Sequence, residues 1–325
     1  MPPRTKYLVG VDLGGTNIVA GALAEDGSDL IAMRSEPTRA DQGADQVIDR
    51  IVRMIDTVIA ETIAHTGAKR DDMIGVGVGA PGPLDRERGI VITTPNLGWT
   101  NFPLRDVVAE RTRLPVRIDN DANCATLGEW WLGAAKGANN VIGMTIGTGI
   151  GGGIILGGRL YHGSADMAGE IGHATIDITG RRCKCGNYGC LEAYASGPSI
   201  ADRAREALSG DESLMVKMAG GDPARITAAT VYEAAKRGDD TALDVVRETS
   251  RFLGAGVANL LNIFNPDVVV IAGGVTQAGE TLFAPLRREV RKRAFKPAVD
   301  ACQIVPGILV AAGVVGAVAA YKQQD

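Results

Sequence analysis

Residues 141–156 read Val-Ile-Gly-Met-Thr-Ile-Gly-Thr-Gly-Ile-Gly-Gly-Gly-Ile-Ile-Leu: an apolar run, a glycine–threonine turn and a second apolar run. The same order occurs near the start of the chain, where residues 7–23 read Tyr-Leu-Val-Gly-Val-Asp-Leu-Gly-Gly-Thr-Asn-Ile-Val-Ala-Gly-Ala-Leu. Apolar runs on either side of a glycine turn are typical of a β-hairpin. Because a supersecondary unit recurs within one chain, the sequence indicates two related halves.

Helical and strand patterns alternate around these two hairpins. Apolar residues recur three or four positions apart over 43–66 and again over 239–262, which predicts amphipathic helices there. Residues 267–272 form a nearly continuous apolar run that ends in two glycines, as strands of a parallel, doubly covered sheet do. The alternation predicts an α/β fold, and a chain of 325 residues has room for about two domains.

The composition excludes several classes of partner. A net charge of -4 argues against a protein that coats nucleic acid or an anionic membrane, and 4% aromatic residues argue against a stacking surface for single strands. The N-terminal residues do not resemble a secretory signal, so a cytoplasmic, reducing location is expected for the five cysteines. The apolar stretch 304–320 contains Pro306 and Gly307, which predicts a strand, a turn and a buried helix rather than a membrane span.

Three glycine-rich turns follow predicted strands, at Gly14-Gly15-Thr16, Gly147-Thr148-Gly149 and Gly273-Gly274. Glycine lets backbone N–H groups approach an anion closely, and a threonine hydroxyl adds a further donor. Two such hairpins together could hold a triphosphate. The alternative is that these are only tight turns, since none matches the phosphate-loop pattern or the dinucleotide fingerprint.

A compact set of metal-ligating residue types lies in the second half of the chain. His173, Cys183, Cys185 and Cys190 have the spacing H-x9-C-x-C-x4-C. Three thiolates and one imidazole form the closed tetrahedral set of a structural zinc site, which leaves no position for a reactive water. Free thiols or a redox pair are the alternatives.

Acidic residues follow a short predicted strand, 116–118, in the segment Asp119-Asn120-Asp121. Transfer of a phosphoryl group to an alcohol requires a carboxylate near the hydroxyl proton, and either aspartate could serve. An Asx turn that caps the following helix is the alternative. Glu170 and Glu192 flank the cysteine-rich segment and could be ordinary surface glutamates.

Taken together, these motifs resemble the ROK family (repressors, open reading frames and sugar kinases), which has the actin-like ATPase fold. The resemblance covers essentially the whole chain and is carried by 146–153, by 168–173 (Ala-Gly-Glu-Ile-Gly-His), and by the cysteine knuckle with Leu191-Glu192. In addition, 12–16 resembles the family's first phosphate motif and 119–123 its catalytic segment.

The resemblance implies a two-domain α/β fold of the actin-like ATPase (ribonuclease-H-like) type with a cleft between the domains. A small domain would comprise residues 1–122 and about 311–325, and a large domain 123–310 would contain the zinc knuckle 173–190. The implied activity is that of a cytoplasmic hexose kinase that uses ATP and Mg²⁺, holds structural Zn²⁺ and forms a homodimer or homotetramer.

The resemblance also implies roles residue by residue. Asp121 would be the base that takes the proton of the sugar 6-hydroxyl. The sugar would be bound by Gly82, Asn96, Asn120, Asp121, Glu170, His173 and Glu192, with His173 also a zinc ligand. The nucleotide would be bound by Asp12, Gly14, Gly15, Thr16, Gly147, Thr148, Gly149, Gly273 and Gly274, with Asp12 near the magnesium ion and the last two near the adenosine. Many members have lysine where this chain has Asn17, so a phosphate contact at that position is in doubt.

Three functions compete at this point. The first is phosphorylation of glucose, which the segment 95–99 (Pro-Asn-Leu-Gly-Trp) favours because it resembles the family's glucokinases. The second is phosphorylation of another sugar, such as N-acetylglucosamine, N-acetylmannosamine, mannose or fructose. The third is a sugar-responsive repressor, which is disfavoured because only eleven residues precede Asp12 and no basic reading helix is recognisable. Polyphosphate remains an alternative donor to ATP.

Overall fold

A computed structural model describes residues 4–209 and 213–323. The strands are β1 (Tyr7–Leu13), β2 (Asn17–Ala24), β3 (Leu30–Pro37), β4 (Met73–Ala80), β5 (Leu84–Asp85), β6 (Ile90–Thr94), β7 (Trp99–Phe102), β8 (Val116–Asn120), β9 (Val141–Ile146), β10 (Ile150–Leu156), β11 (Arg159–Leu160), β12 (Val268–Ala272) and β13 (Gln303–Pro306). The helices are α1 (Ala44–Thr66), α2 (Leu104–Thr112), α3 (Asp121–Trp131), α4 (Glu192–Ala195), α5 (Gly197–Glu206), α6 (Leu214–Met218), α7 (Ala228–Lys236), α8 (Asp240–Phe264), α9 (Glu280–Arg293), α10 (Lys296–Ala301) and α11 (Ala312–Gln323). The predicted α/β class is confirmed.

Two five-stranded sheets share one pattern. The first has the order β3-β2-β1-β4-β8 and the second β11-β10-β9-β12-β13. In the first, β1 pairs antiparallel with β2 and parallel with β4, which in turn pairs parallel with β8. In the second, β12 lies parallel between β9 and β13. The repeated hairpin seen in the sequence is therefore the start of a repeated sheet, with β1 and β2 corresponding to β9 and β10.

One core cluster of the first sheet lies on the face that α1 covers, and a second joins Leu8 and Leu23 to Val314 and Val318 of α11. The apolar stripe of α1 buries Ile51, Ile55 and Val58 completely against strand residues such as Val9 and Val11. The helix ends at Gly67, whose φ of 71° continues into a left-handed turn that glycine adopts without strain. This helix matches the predicted 43–66 segment closely.

Helices α3 and α11 pack together unusually closely, because glycines stand where their backbones meet. A Cβ on Gly316 would lie 1.5 Å from the carbonyl oxygen of Cys124, and one on Gly128 would lie 2.2 Å from that of Ala312. No side chain fits at either position. The apolar stretch near the C-terminus is thus β13, a turn and a buried helix, as the sequence predicted. Among the residues that the structure describes, no helix is both long and apolar enough to span a membrane.

The chain divides into two compact units. The first comprises Met1–Gly137, Gly153–Gly169 and Ile308–Asp325, and the second Ala138–Gly152 and Glu170–Gly307. The sequence placed the first boundary at residue 122, but α3 belongs with α11 in the first unit because of the packing just described. Residues 153–169 join the same unit because Gly153 lies against α3, where a Cβ would meet Thr126 Oγ1 at 2.5 Å. The cysteine knuckle 173–190 lies in the second unit.

Candidate functional site

In the first unit, strand β8 ends in the acidic segment and leads directly into α3. Asn120 is the N-cap of α3, and its side-chain oxygen accepts hydrogen bonds from the backbone N–H groups of Ala122 and Asn123. Asp121 occupies the first helical position, where the unpaired N–H groups of the helix end favour a negative charge. The Asx-type cap, which the sequence left as the alternative, is therefore present on Asn120, and an acidic residue directly follows it at the start of the helix.

Asp12 lies at the end of β1, two strands away from β8 in the same sheet. Burial, and to a lesser extent the charge of Asp121, raises the pKa of Asp12 to about 7. Helix α11 contributes to this burial, since a Cβ on Gly313 would lie 2.3 Å from Asp12 Oδ2. A divalent cation stabilises the charged form of two carboxylates that repel one another. Carboxylate oxygens are also the ligands that Mg²⁺ prefers.

The glycine turn after β1 is held by backbone hydrogen bonds. Gly14 N–H donates to the Asn17 carbonyl over 2.9 Å, and Thr38 N–H donates to the Thr16 carbonyl over 2.8 Å. Gly15, Thr16 and Asn17 remain exposed. This turn is therefore open to solvent, and its role in binding phosphate stays a prediction.

Two more predicted sugar contacts lie in the first unit. Asn96 packs against the glycine turn, because a Cβ on Gly15 would lie 3.2 Å from Asn96 Cβ. Gly82 has a φ of 91°, and its carbonyl accepts a hydrogen bond from Asn120 Nδ2 over 3.4 Å. A side chain at Gly82 would be both strained and blocked, since its Cβ would lie 2.3 Å from the carbonyl oxygen of Thr93.

In the second unit, the four predicted metal ligands come together. The ligand atoms of His173, Cys183, Cys185 and Cys190 all lie within 4.8 Å of one another. Cys185 Sγ is 3.7 Å from Cys190 Sγ, and His173 Nδ1 is 3.7 Å from Cys183 Sγ. Tetrahedral Zn–S bonds of about 2.3 Å place two sulfur atoms about 3.8 Å apart, so the cluster has the size of a zinc site with Nδ1 as the imidazole ligand.

The two glutamates near this cluster have different surroundings. Glu192 Oε2 accepts a hydrogen bond from Ile150 N–H over 2.9 Å, directly beside Gly149. Glu192 Oε1 lies 3.9 Å from Cys183 Sγ, so this side chain links the cysteine knuckle to the second glycine turn. Glu170 is exposed, and its Oε2 lies 4.0 Å from His173 Nε2, the ring nitrogen that does not face the thiolates.

A cavity of about 760 Å³ lies in the second unit beside the second and third glycine turns. Gly147 and Thr148 line one part of it and Gly274 another. The structure thus brings together the turns predicted for phosphate and for adenosine. Sequence reasoning missed the rest of the lining, because these residues carry no motif. Most of them come from α5 and from α7 with its N-cap, and Gln277 comes from the short 3-10 turn after Gly274; they include Gly197, Pro198, Thr227, Ala228, Tyr232 and Gln277.

The predicted sugar-binding residues are distributed over the two units. Gly82, Asn96, Asn120 and Asp121 lie in the first, whereas Glu170, His173 and Glu192 lie in the second. The nucleotide-binding residues divide in the same way, since Asp12 and the first glycine turn lie in the first unit and the second and third turns in the second.

Comparison with known proteins gives one consistent family. The family model described as "ROK family" matches residues 8–324. A glucokinase from Thermotoga maritima is 39% identical over 324 residues, which cover 99% of each chain. The crystal structure of a ROK family glucokinase from Streptomyces griseus, in complex with glucose and AMPPNP, superimposes with a TM-score of 0.82 and 34% identity, covering 98% of this chain and 99% of the other.

A xylose repressor from Caldicellulosiruptor bescii is 36% identical over 248 residues, which cover 76% of this chain and 62% of the repressor. The match therefore leaves a substantial part of the repressor's length uncovered, whereas the matches to the two glucokinases named above cover at least 98% of each chain. From the family match over nearly its entire length, and from the glycine turns, acidic segment and cysteine knuckle described above, this chain belongs to the ROK family.

Proposed function

We propose that this protein is an ATP-dependent hexose kinase that phosphorylates the 6-hydroxyl of glucose, with Asp121 as the general base. The observation that carries the proposal is the placement of Asp121 at the capped start of α3 in a chain that a glucokinase from Thermotoga maritima matches over 99% of both lengths. A kinase is favoured over a repressor because this glucokinase is 39% identical over 99% of the chain, whereas the xylose repressor is 36% identical over 76% of it.

The proposed reaction is a direct transfer. The sugar 6-hydroxyl oxygen attacks the γ-phosphorus of ATP, the bond from that phosphorus to the β–γ bridging oxygen breaks, and ADP leaves. Asp121 accepts the hydroxyl proton. Such a transfer needs positioning and charge stabilisation rather than a covalent intermediate. Asn120, which caps the same helix, fixes the turn that presents the base.

The remaining polar residues suit a sugar that presents many hydroxyl groups. Gly82, Asn96 and Asn120 would contact the sugar from the first unit. Glu170, His173 and Glu192 would do so from the second, where carboxylate and imidazole groups accept or donate hydrogen bonds. His173 would use Nε2 for the sugar while Nδ1 ligates the zinc, so the metal would orient a substrate-binding side chain.

The nucleotide would lie along the glycine turns. Thr16 and its turn, with Thr148 and its turn, would bind the phosphates, and Gly273-Gly274 would lie by the adenosine. The raised pKa of Asp12 fits a carboxylate that is ionised when a cation binds beside it. Bound Mg²⁺ would neutralise charge that builds up on the phosphates during transfer. A homodimer or homotetramer in the cytoplasm, and ATP rather than polyphosphate as donor, remain predictions.

The test is release of ADP from MgATP across a panel of hexoses and N-acetylhexosamines. We expect turnover on glucose, and we expect Asp121→Ala to lose about 10³-fold in kcat, within the range for removal of a general base. Asp45→Ala is the matched control, since Asp45 is an exposed aspartate in the first turn of α1.

Turnover on an N-acetylated sugar instead of glucose would retain the mechanism and correct the substrate. Absence of turnover on every sugar, in folded protein with zinc bound, would refute the ATP-dependent kinase, and polyphosphate would then be tested as donor.

A further inference from the structure

Asp119, the residue before the helix cap, is a buried carboxylate with an unusually complete set of contacts. Its side chain is 1% exposed. Oδ1 accepts the backbone N–H of Asn120 over 2.8 Å and the side-chain Nδ2 of Asn123 over 3.0 Å. This oxygen therefore holds both the last strand residue and the first turn of α3, on either side of Asp121.

The second oxygen of Asp119 is held from outside this segment. His162 Nε2 lies 2.8 Å from Oδ2, and Arg86 Nε lies 3.1 Å from the same atom. The Arg86 Nε–H is not directed at the carboxylate closely enough to form a hydrogen bond, so this contact is an ion pair. Histidine must carry its proton on Nε2 to donate here.

The two basic residues come from separate loops that a third residue ties together. Arg86 follows β5, and His162 follows β11. Asp166, four residues beyond His162, accepts the backbone N–H of Arg86 over 3.1 Å and its Nη1 over 3.3 Å. All these residues belong to the first unit. Both loops therefore contact the Asp119 carboxylate, which in turn is hydrogen-bonded to the start of α3, where Asp121 lies.

We propose that His162 and Arg86 are positioning residues for the phosphoryl transfer, which hold Asp121 in place through Asp119. The proposal rests on the proposed function, because it assigns Asp121 as the base. The motifs of the sequence include neither basic residue, and neither is needed for the metal cluster or the nucleotide cavity.

The physical reason is the cost of an unpaired buried charge. Loss of a partner leaves the buried Asp119 carboxylate partly uncompensated, which favours its movement toward water. Such a movement weakens its hydrogen bonds with Asn120 and Asn123. Because a misplacement of about 1 Å can cost about 10² in rate, a small shift at Asp121 is sufficient to slow the reaction.

The surroundings of His162 make a chemical rescue experiment possible. A cavity of about 910 Å³ in the first unit is lined by Asp119, His162, Arg86 and Trp130. The His162 side chain is 18% exposed toward solvent. Free imidazole is small enough to enter this cavity and donate to Asp119 in a variant that lacks the ring.

The experiment measures kcat and KM for glucose and for MgATP in the full chain and in four variants. In His162→Ala we expect kcat to fall by about tenfold with both KM values within about threefold of native, because positioning acts on the transition state. Imidazole should restore most of the lost rate. In His162→Gln, whose amide nitrogen can donate in place of Nε2, kcat should stay within about threefold of native.

His65→Ala is the matched control, since His65 is an exposed histidine on α1, and it should keep native kinetics with no response to imidazole. Imidazole should also fail to restore Asp121→Ala. Native kcat in His162→Ala, or a lost rate that neither imidazole nor glutamine restores, would overturn the proposal. Absence of turnover in the unmodified chain would refute the proposed function itself. The outcomes that overturn only the role of His162 require an active unmodified chain, so the two failures are distinguishable.

Discussion

The ends of the corresponding strands carry different chemistry in the two units. Strand β1 ends near Asp12 and β8 near Asp119, whereas their counterparts β9 and β13 end near Thr145 and Pro306. Both sheets nevertheless have the same order, and a turn of glycine and threonine follows the first strand of each. The same architecture thus occurs twice, with aspartates at these strand ends in the first copy and neutral residues in the second.

The largest expected effect comes from exchanging these strand ends. Asp12→Thr introduces near the end of β1 the residue type that stands near the end of β9. We expect kcat to fall by about 10²-fold, because a charged group proposed to lie near the transferring phosphate is lost. The reciprocal Thr145→Asp should raise KM for MgATP by about tenfold, because a new carboxylate would repel the phosphates beside Gly147. Steady-state kinetics of both variants test the comparison.

If Asp12→Thr and Thr145→Asp lowered kcat by the same factor and raised the KM for MgATP by the same factor, the two strand ends would not have distinct roles. Asp45→Thr, on an exposed turn of α1, controls for the change of residue type and should leave both constants unchanged.

The next effect concerns the metal cluster, which only the second unit contains among the described residues. Cys190→Ser should release zinc and lower the free energy of unfolding by about 2–4 kcal/mol, since a structural metal stabilises only the folded state. The KM for glucose should rise, because His173 and Glu192 lose their support. Zinc content and thermal unfolding measure the first effect, and glucose titration the second.

Cys302→Ser is the matched control, as Cys302 lies outside the cluster and is half-buried. An unchanged zinc content in Cys190→Ser, or an equal loss in the control, would contradict the assignment of the four ligands.

The free energy of unfolding is expected to depend on pH through Asp12 in the first unit. Because burial and Asp121 raise the pKa of Asp12 from 3.8 to about 7, the folded state binds its proton more tightly than the unfolded state does. This group therefore destabilises the fold progressively as pH rises from about 4 to about 7. In the absence of Mg²⁺ and nucleotide, Asp12→Asn should be more stable than native at pH 8 by on the order of 3 kcal/mol, and nearly equal at pH 4.

Chemical denaturation at both pH values measures this difference, with Asp45→Asn as the exposed control. A stability difference independent of pH would show that Asp12 has an ordinary pKa in the folded chain. Asp12→Asn should also lose activity, so Asp12 would be retained for function at a cost in stability.

The smallest effect compares two neighbouring glycines of the third turn. Gly273 has a φ of 94°, and its Cβ would lie 2.4 Å from the carbonyl oxygen of Ile146, whereas a Cβ on Gly274 would meet nothing within 4 Å. Gly273→Ala should cost about 1–3 kcal/mol of stability and raise KM for MgATP. Gly274→Ala should change stability by less than about 0.5 kcal/mol. Thermal unfolding of Gly273→Ala and Gly274→Ala measures both effects. Equal stabilities of the two variants would contradict a strained conformation at residue 273.

In the first unit, the turn that follows the corresponding strand β4 contains Gly82, with a φ of 91°. Gly82→Ala should have a similar cost in stability but should affect the KM for glucose rather than for MgATP. If both variants altered the same KM, the functional division between the two units would need revision.

The sequence by itself determined the α/β class, the repeated hairpin, the long helices and the metal cluster. Each of these depends on local patterning: apolar periodicity fixes which face of α1 is buried, and Cys183 to Cys190 are close because the intervening chain is short. The acidic segment was also recognisable, although the residues alone left open whether Asp119 or Asp121 was the base.

Tertiary structure decided the roles that depend on distant contacts. Glycine contacts between residues 184 and 192 positions apart group α3 with α11, so the boundary of the first unit lies beyond the predicted residue 122. Tertiary structure also buried Asp119 between His162 and Arg86, which separated the two aspartates into a supporting carboxylate and a candidate base. No spacing rule predicts such contacts, because they arise from how the sheet and its loops pack rather than from neighbouring residues.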